Sequence, residues 1–290
     1  MINGQNGIKL PTMKKTIFLM IALAGMFVFT ACQKENQSAK ESAMAISNAQ
    51  DQVLISDLVT DLIDDIELTS ESVFGELKTG RTDCRTVTIE PMDRVTWPKT
   101  ITIDFGTEGC LVREDVVKKG KIIIIQSAPQ RAEAWEKVIT FENYFVNDNK
   151  IEGTHTLTYR IRSGHPVWNN TLTNSTITTP EGVIRTRTAT HIRVQTRGTE
   201  TLRDRLDDVF QITGNARGIN RDGKTFSWVI TDPLVMHMGC NWIRKGTKEI
   251  NLEGQSTAVL DFGGGECDNL ATITRDGEVK EITLRGLRRR

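Results

Sequence analysis

The chain has no surplus of either charge. In 290 residues, 37 Lys and Arg stand against 37 Asp and Glu, which removes the broad basic surface on which nucleic-acid binding depends. It has few cysteines, 5 in all, with no C-x-x-C pair and only His237 near any of them, so a zinc site is not expected. Aromatic residues make up 6%. Catalytic signatures are missing as well: there is no nucleophile elbow, no H-E-x-x-H, no Walker loop and no dinucleotide glycine fingerprint, which weighs against NTPases and the common hydrolases. A glycosidase needs only two converging carboxylates, and sequence leaves that open. No cofactor is expected. The only long apolar run, from Ile17 to Phe29, falls short of the roughly 20 residues that cross a bilayer.

That run has the form of an export signal. Lys14 and Lys15 precede it, and the small residues Thr30 and Ala31 follow it, before Cys32. Met13 is the more natural start, because a signal opens on its positive charges and the twelve residues before it add nothing a signal requires. Phe29-Thr30-Ala31-Cys32 resembles the lipobox of bacterial lipoproteins, which implies residues 1–31 as signal peptide and Cys32 as the lipidated first residue of the mature chain. Gln33-Lys34-Glu35-Asn36 resembles the short export tag of surface lipoproteins of the Bacteroidota. The resemblance implies an outer-membrane lipoprotein, with the cell surface favoured over a periplasm-facing position. Residues 32–50, rich in Ser, Ala and Gln, then read as a tether.

From Val53 to Ile66 the apolar residues Leu54, Ile55, Leu58, Val59, Leu62, Ile63 and Ile66 recur at helical spacing. No Lys or Arg lies between Glu41 and Glu76, so the other face of this helix is anionic. It reads first as a solvated face over a packing stripe and second as a cation-binding or partner-docking surface. Beyond Gly80 the pattern becomes short runs of Thr, Ile and Val, with about one residue in eight of the chain a Thr. Thirteen strands are expected, starting near Cys84, Thr100, Lys121, Val138, Gly153, Thr171, Val183, Phe210, Thr225, Thr247, Ser256, Leu270 and Val279. Turn residues at Asn147-Asp148-Asn149, Pro180-Glu181-Gly182, Arg221-Asp222-Gly223 and Arg275-Asp276-Gly277 make the connections antiparallel. The expected fold is mainly β, an antiparallel meander with one N-terminal amphipathic helix, occupying 51–290 in two related halves, roughly 51–200 and 201–290. The unbroken run Ile122–Ile125 suggests a strand covered on both faces, with Leu58 and Leu62 of the helix near Ile123.

Two segments repeat. Asp104-Phe105-Gly106 leads to Cys110, and Asp261-Phe262-Gly263 leads to Cys267, each over six residues. Each has an earlier Cys at nearly the same distance, Cys84 and Cys240. In an oxidising compartment the four pair, and only Cys84–Cys110 with Cys240–Cys267 treats the halves alike. Asp104 with Glu108, and Asp261 with Glu266, are weak calcium candidates; the plainer reading has the two Asp bonding turn amides. The repeat and the tail from Gly265 to Leu284 look like those of uncharacterised β-rich lipoproteins of the Bacteroidota, which carry no site residues across.

One surface is unusual. From Val183 to Arg197 the odd positions include Arg185, Arg187, His191, Arg193 and Arg197, while Ile, Thr and Val take the even ones. At period two the basic groups share a face, and Arg160 and Arg162 belong to a neighbouring run. The expected role is binding or envelope structure. Partners are the membrane, through lipid on Cys32, and an anionic glycan or an envelope protein on the Arg stripe; a face of Arg stems covering Thr is the plain alternative. Trp168, beside Asn169 and Asn170 in an apparent polar loop, is a candidate ligand platform, whereas Trp228, alternating with Phe226 and Ile230, reads as core. The rival function is a carbohydrate-active hydrolase.

Overall fold

A computed structural model describes residues 84–284 except 114 and 202. The signal segment, Cys32, the tether and the expected helix, with Leu58 and Leu62, lie outside the described residues.

The described chain is a 14-stranded antiparallel sheet with no helix. Its strands are β1 (Thr86–Glu90), β2 (Lys99–Asp104), β3 (Cys110–Arg113), β4 (Val116–Gln126), β5 (Ala134–Val146), β6 (Asn149–Arg162), β7 (His165–Thr178), β8 (Ile184–Arg197), β9 (Val209–Ile219), β10 (Thr225–His237), β11 (Ile243–Leu252), β12 (Ala258–Gly264), β13 (Leu270–Arg275) and β14 (Glu278–Thr283). Each strand pairs with the next in the chain, except that β2 and β3 both pair with β4, end to end along it.

The turns explain the meander. Asn147 and Asp148 join β5 to β6, and Asp276 and Gly277 join β13 to β14; all have positive φ, the two-residue turn whose twist matches that of the strands. Ser163 and Gly164 do the same between β6 and β7, a turn that the sequence reading passes over. Several strands start earlier than expected, β5 at Ala134 and β7 at His165 among them. Their leading residues, Ala-Trp-Glu-Lys in β5 and His-Pro-Val-Trp-Asn-Asn in β7, are not runs of β-branched residues, and internal bulges with Asn143 and Asn174 at positive φ break the simple alternation.

One row of directly opposed residues defines the inner face. Ile89, Ile101, Ile124, Ile139, His155, Leu172, Ala189, Ala216, Trp228, Ile250 and Ala258 succeed one another from β1 to β12, and all are buried. At the β1–β5 end Ile103, Phe105, Cys110, Ile122 and Tyr144 join this row in an apolar cluster. The expectation that Ile122–Ile125 is covered on both sides is corrected: Ile122 and Ile124 are fully buried, while Ile125 is 48% exposed. Four branched residues in succession arise here because one face needs core and the other carries β-branched residues for strand propensity alone.

Both disulfides form as expected, Cys84–Cys110 and Cys240–Cys267, with Cα–Cα distances of 5.5 and 5.8 Å. They occupy equivalent places. Each joins the residue shortly before one strand of a hairpin to the residue shortly after the other, across β1–β2 in one case and β11–β12 in the other. In both copies the Asp turns back on its own chain, Asp104 accepting the Gly106 amide at 2.8 Å and Asp261 the Gly263 amide at 2.9 Å. The copies differ at the aromatic residue, for Phe105 is buried against Tyr144 and Phe262 is half-buried.

Candidate functional site

Register decides which basic residues meet. Across β7 and β8, Trp168 opposes Arg193, Asn170 opposes His191, Ser175 opposes Arg187 and Ile177 opposes Arg185. Opposed residues share a face, so Arg185, Arg187, His191 and Arg193 form the stripe that alternation implies. The stripe lies on the inner face, in line with Ala189 and Leu172, rather than on an open surface. Arg187 is only 5% exposed. Arg160 and Arg162 are not part of it: they alternate with Leu157 and Tyr159 of the inner face, so they project from the other side, and both are exposed. Arg197 follows a register shift at the end of β8 and is also exposed.

Trp168 sits within β7, not in a loop. Its ring stands 5.3 Å from Tyr159 and 5.8 Å from Phe210, and Tyr159 stacks on Trp135 at 5.4 Å. The four rings make a row across β5, β6, β7 and β9. The Arg193 guanidinium fits between the last two, 4.6 Å from the Trp168 ring and 4.9 Å from that of Phe210, a cation held by the negative faces of two π systems. Trp135 and Phe210 are buried, while Tyr159 and Trp168 at the centre of the row remain half-exposed.

A second cluster lies further along the same face. Strand β9 sets Gly214, Ala216 and Gly218 opposite His191, Ala189 and Arg187, so it carries almost no side chain there. Across this bare strip residues of β8 and β10 touch. Trp228 is 5.2 Å from the His191 ring and 5.6 Å from the Arg187 guanidinium, and the Lys248 ammonium of β11 lies 4.0 Å above its ring.

These groups are nearly all donors. Burial lowers the Arg187 pKa to about 10. Lys248 is lowered to about 7 by burial and then by the charge of Arg187. His191 falls to about 3 through burial, with Arg187, Lys248 and His155 adding to the effect, so it is neutral at pH 7. His155, fully buried, is lowered by burial against a hydrogen bond to the Asn170 side-chain oxygen. Among the described residues no carboxylate forms an ion pair with Arg185, Arg187 or Lys248.

Alternation exposes the β8 stripe but cannot say which face is covered. It also hides Lys248, whose neighbours Lys245 and Glu249 give the segment the look of a solvated strand. The available signal is parity, because Lys248, Ile250 and Leu252 share a face. The small-residue strip Gly214-x-Ala216-x-Gly218 is the second signal.

The calcium candidates are placed at turns. Asp104 is engaged by the Gly106 amide and lies 4.0 Å from Lys121, and Glu108 receives the Thr107 hydroxyl at 3.3 Å. Among the described residues no cluster of three or more His, Cys, Asp or Glu side chains is placed to hold a metal ion. On the opposite side of the sheet, behind Trp228, a shallow depression of about 350 Å³ is lined by Thr188, Thr190, Asn215, Arg217, Ser227 and Asn251. No protein-family model, no curated protein and no solved structure matches this chain.

Proposed function

We propose that this protein is a lipid-anchored component of the bacterial outer membrane, facing the cell surface, that binds an anionic glycan on the inner face of β5–β9. The anchor rests on the lipobox-like ending at Cys32, and the two disulfides agree with an exported chain.

The observation that carries the binding reading is the guanidinium of Arg193 held between Trp168 and Phe210, in line with Tyr159 and Trp135. Half-exposed rings offer flat apolar area to sugar faces, with polar edges for hydroxyls. A fixed guanidinium beside them offers paired N–H donors to a carboxylate or sulfate. The site has the groups to recognise charge and ring together, and among the described residues no pair of carboxylates joins them, so we favour binding without bond cleavage.

Retention on immobilised heparin tests this reading. Arg193→Ala and Trp168→Ala are expected to elute the mature chain at lower salt, and Arg185→Ala to shift it less. Unchanged elution of the first two variants, with unchanged melting temperatures, contradicts it.

A further inference from the structure

We propose that the strip between β8 and β10 is an oxyanion site, in which a sulfate, phosphate or carboxylate group is held by Arg187, Lys248 and the indole N–H of Trp228. This deepens the binding reading, since it names where the acidic group of a ligand is held, and rests on it to that extent.

The strip gathers unmatched donors. The Arg187 Nε and the Trp228 Nε1 are both buried and have no hydrogen-bond partner among the described residues, and the two side chains are 5% and 2% exposed. Lys248 meets the same indole from its other neighbour strand. A buried donor without an acceptor costs stability, and a buried cation without a counter-charge costs more. Cation–π contact with one ring offsets only part of that cost. His191 faces the same ring and, being neutral, adds no negative charge. What completes the site is therefore a group rich in acceptors, negatively charged and small enough to lie where Gly218 carries no side chain and Ala216 only a methyl group.

The local sequence builds this arrangement. Glycine opposite Arg187 leaves the guanidinium free to lean across β9 toward Trp228, and a larger residue at Gly218 is barred because its Cβ would fall 1.9 Å from the Thr186 carbonyl oxygen. The strip is therefore a fixed part of the fold and not an accident of composition.

Thermal unfolding of the mature chain in sodium sulfate, against sodium chloride of equal ionic strength, is the test, with sodium phosphate and sodium acetate as further probes. The wild type is expected to melt progressively higher with sulfate, by several degrees across the millimolar range. Lys248→Met, which removes a costly charge and keeps the length, is expected to melt above the wild type without anion and to lose the sulfate response. Arg187→Gln supplies a second variant should the first fold poorly, and is also expected to lose it. A wild type indifferent to all three anions overturns the proposal, as does a sulfate response retained in both variants. Heparin retention sensitive to Arg193 and Trp168, together with no sulfate response, removes this site and leaves the glycan reading in place. A sulfate response without heparin retention does the reverse.

Discussion

Replacing Cys84 and Cys110 together by Ala removes a link that closes 26 residues, and replacing Cys240 and Cys267 removes one that closes 27. In the loop-entropy treatment each closure lowers the entropy of the unfolded chain by an amount equivalent to about 3.5 kcal/mol at 25 °C. Since both bridges fasten the open ends of two-strand hairpins, the two double variants are expected to lose nearly the same stability. For a domain of this size the loss corresponds to a fall of about 7–14 °C in melting temperature. The second loop keeps one extra tie, the Arg244 side chain donating to the Gly265 carbonyl at 2.5 Å, so any inequality favours the chain that has lost Cys240–Cys267. Chemical denaturation of wild type and both variants, followed by circular dichroism under non-reducing conditions, measures the difference. A loss below about 1 kcal/mol in either variant, or losses differing by more than about 2 kcal/mol, refutes the view of the bridges as equivalent hairpin clasps.

The other predictions concern charge, core and address. Lys248 has its pKa lowered from 10.5 to about 7. Between those values the unfolded chain binds the extra proton, so stability rises as pH is raised from about 7 to 10.5, by on the order of 5 kcal/mol. Of the groups facing it, His191 stays neutral throughout and Arg187, with its pKa lowered to about 10, loses its proton only toward the top of the range; below about pH 9 the rise is therefore expected to be absent in Lys248→Met, and equal slopes in the two proteins there refute the assignment. Ile124→Ala, at a fully buried position, is expected to cost about 2–5 kcal/mol, and Ile125→Ala, at its exposed neighbour, less than about 1 kcal/mol; urea titration checks both, and equal costs contradict the single inner face at β4. Protease shaving of intact cells is expected to remove the protein while sparing an inner-membrane control, and survival places it inside the envelope. Cys32→Ala is expected to release it from the membrane fraction.

Much of the architecture is legible in the sequence because its causes are local. Period-two alternation and positive-φ turn residues give the strands and their antiparallel order, and equal Cys spacing gives both disulfides. Less local matters are not legible. The stripe from Arg185 to Arg193 is visible as one face, yet whether that face is covered depends on ten other strands in register with it. Trp168 reads as a loop residue because Asn169 and Asn170 follow it, although in a long strand those amides simply take alternate faces. Nothing in the sequence around Lys248 singles it out, and only the buried row through Trp228 and Ile250 shows that it points inward.

Ligand is expected to bind on the inner face around β7, β8 and β9. Hydrogen–deuterium exchange of the mature chain, with and without a heparin oligosaccharide, tests it most directly. Slowed exchange is expected in peptides covering 165–197 and 209–219, with little change at 84–126. Unaltered exchange in those peptides, or protection confined to the β1–β4 end, contradicts it.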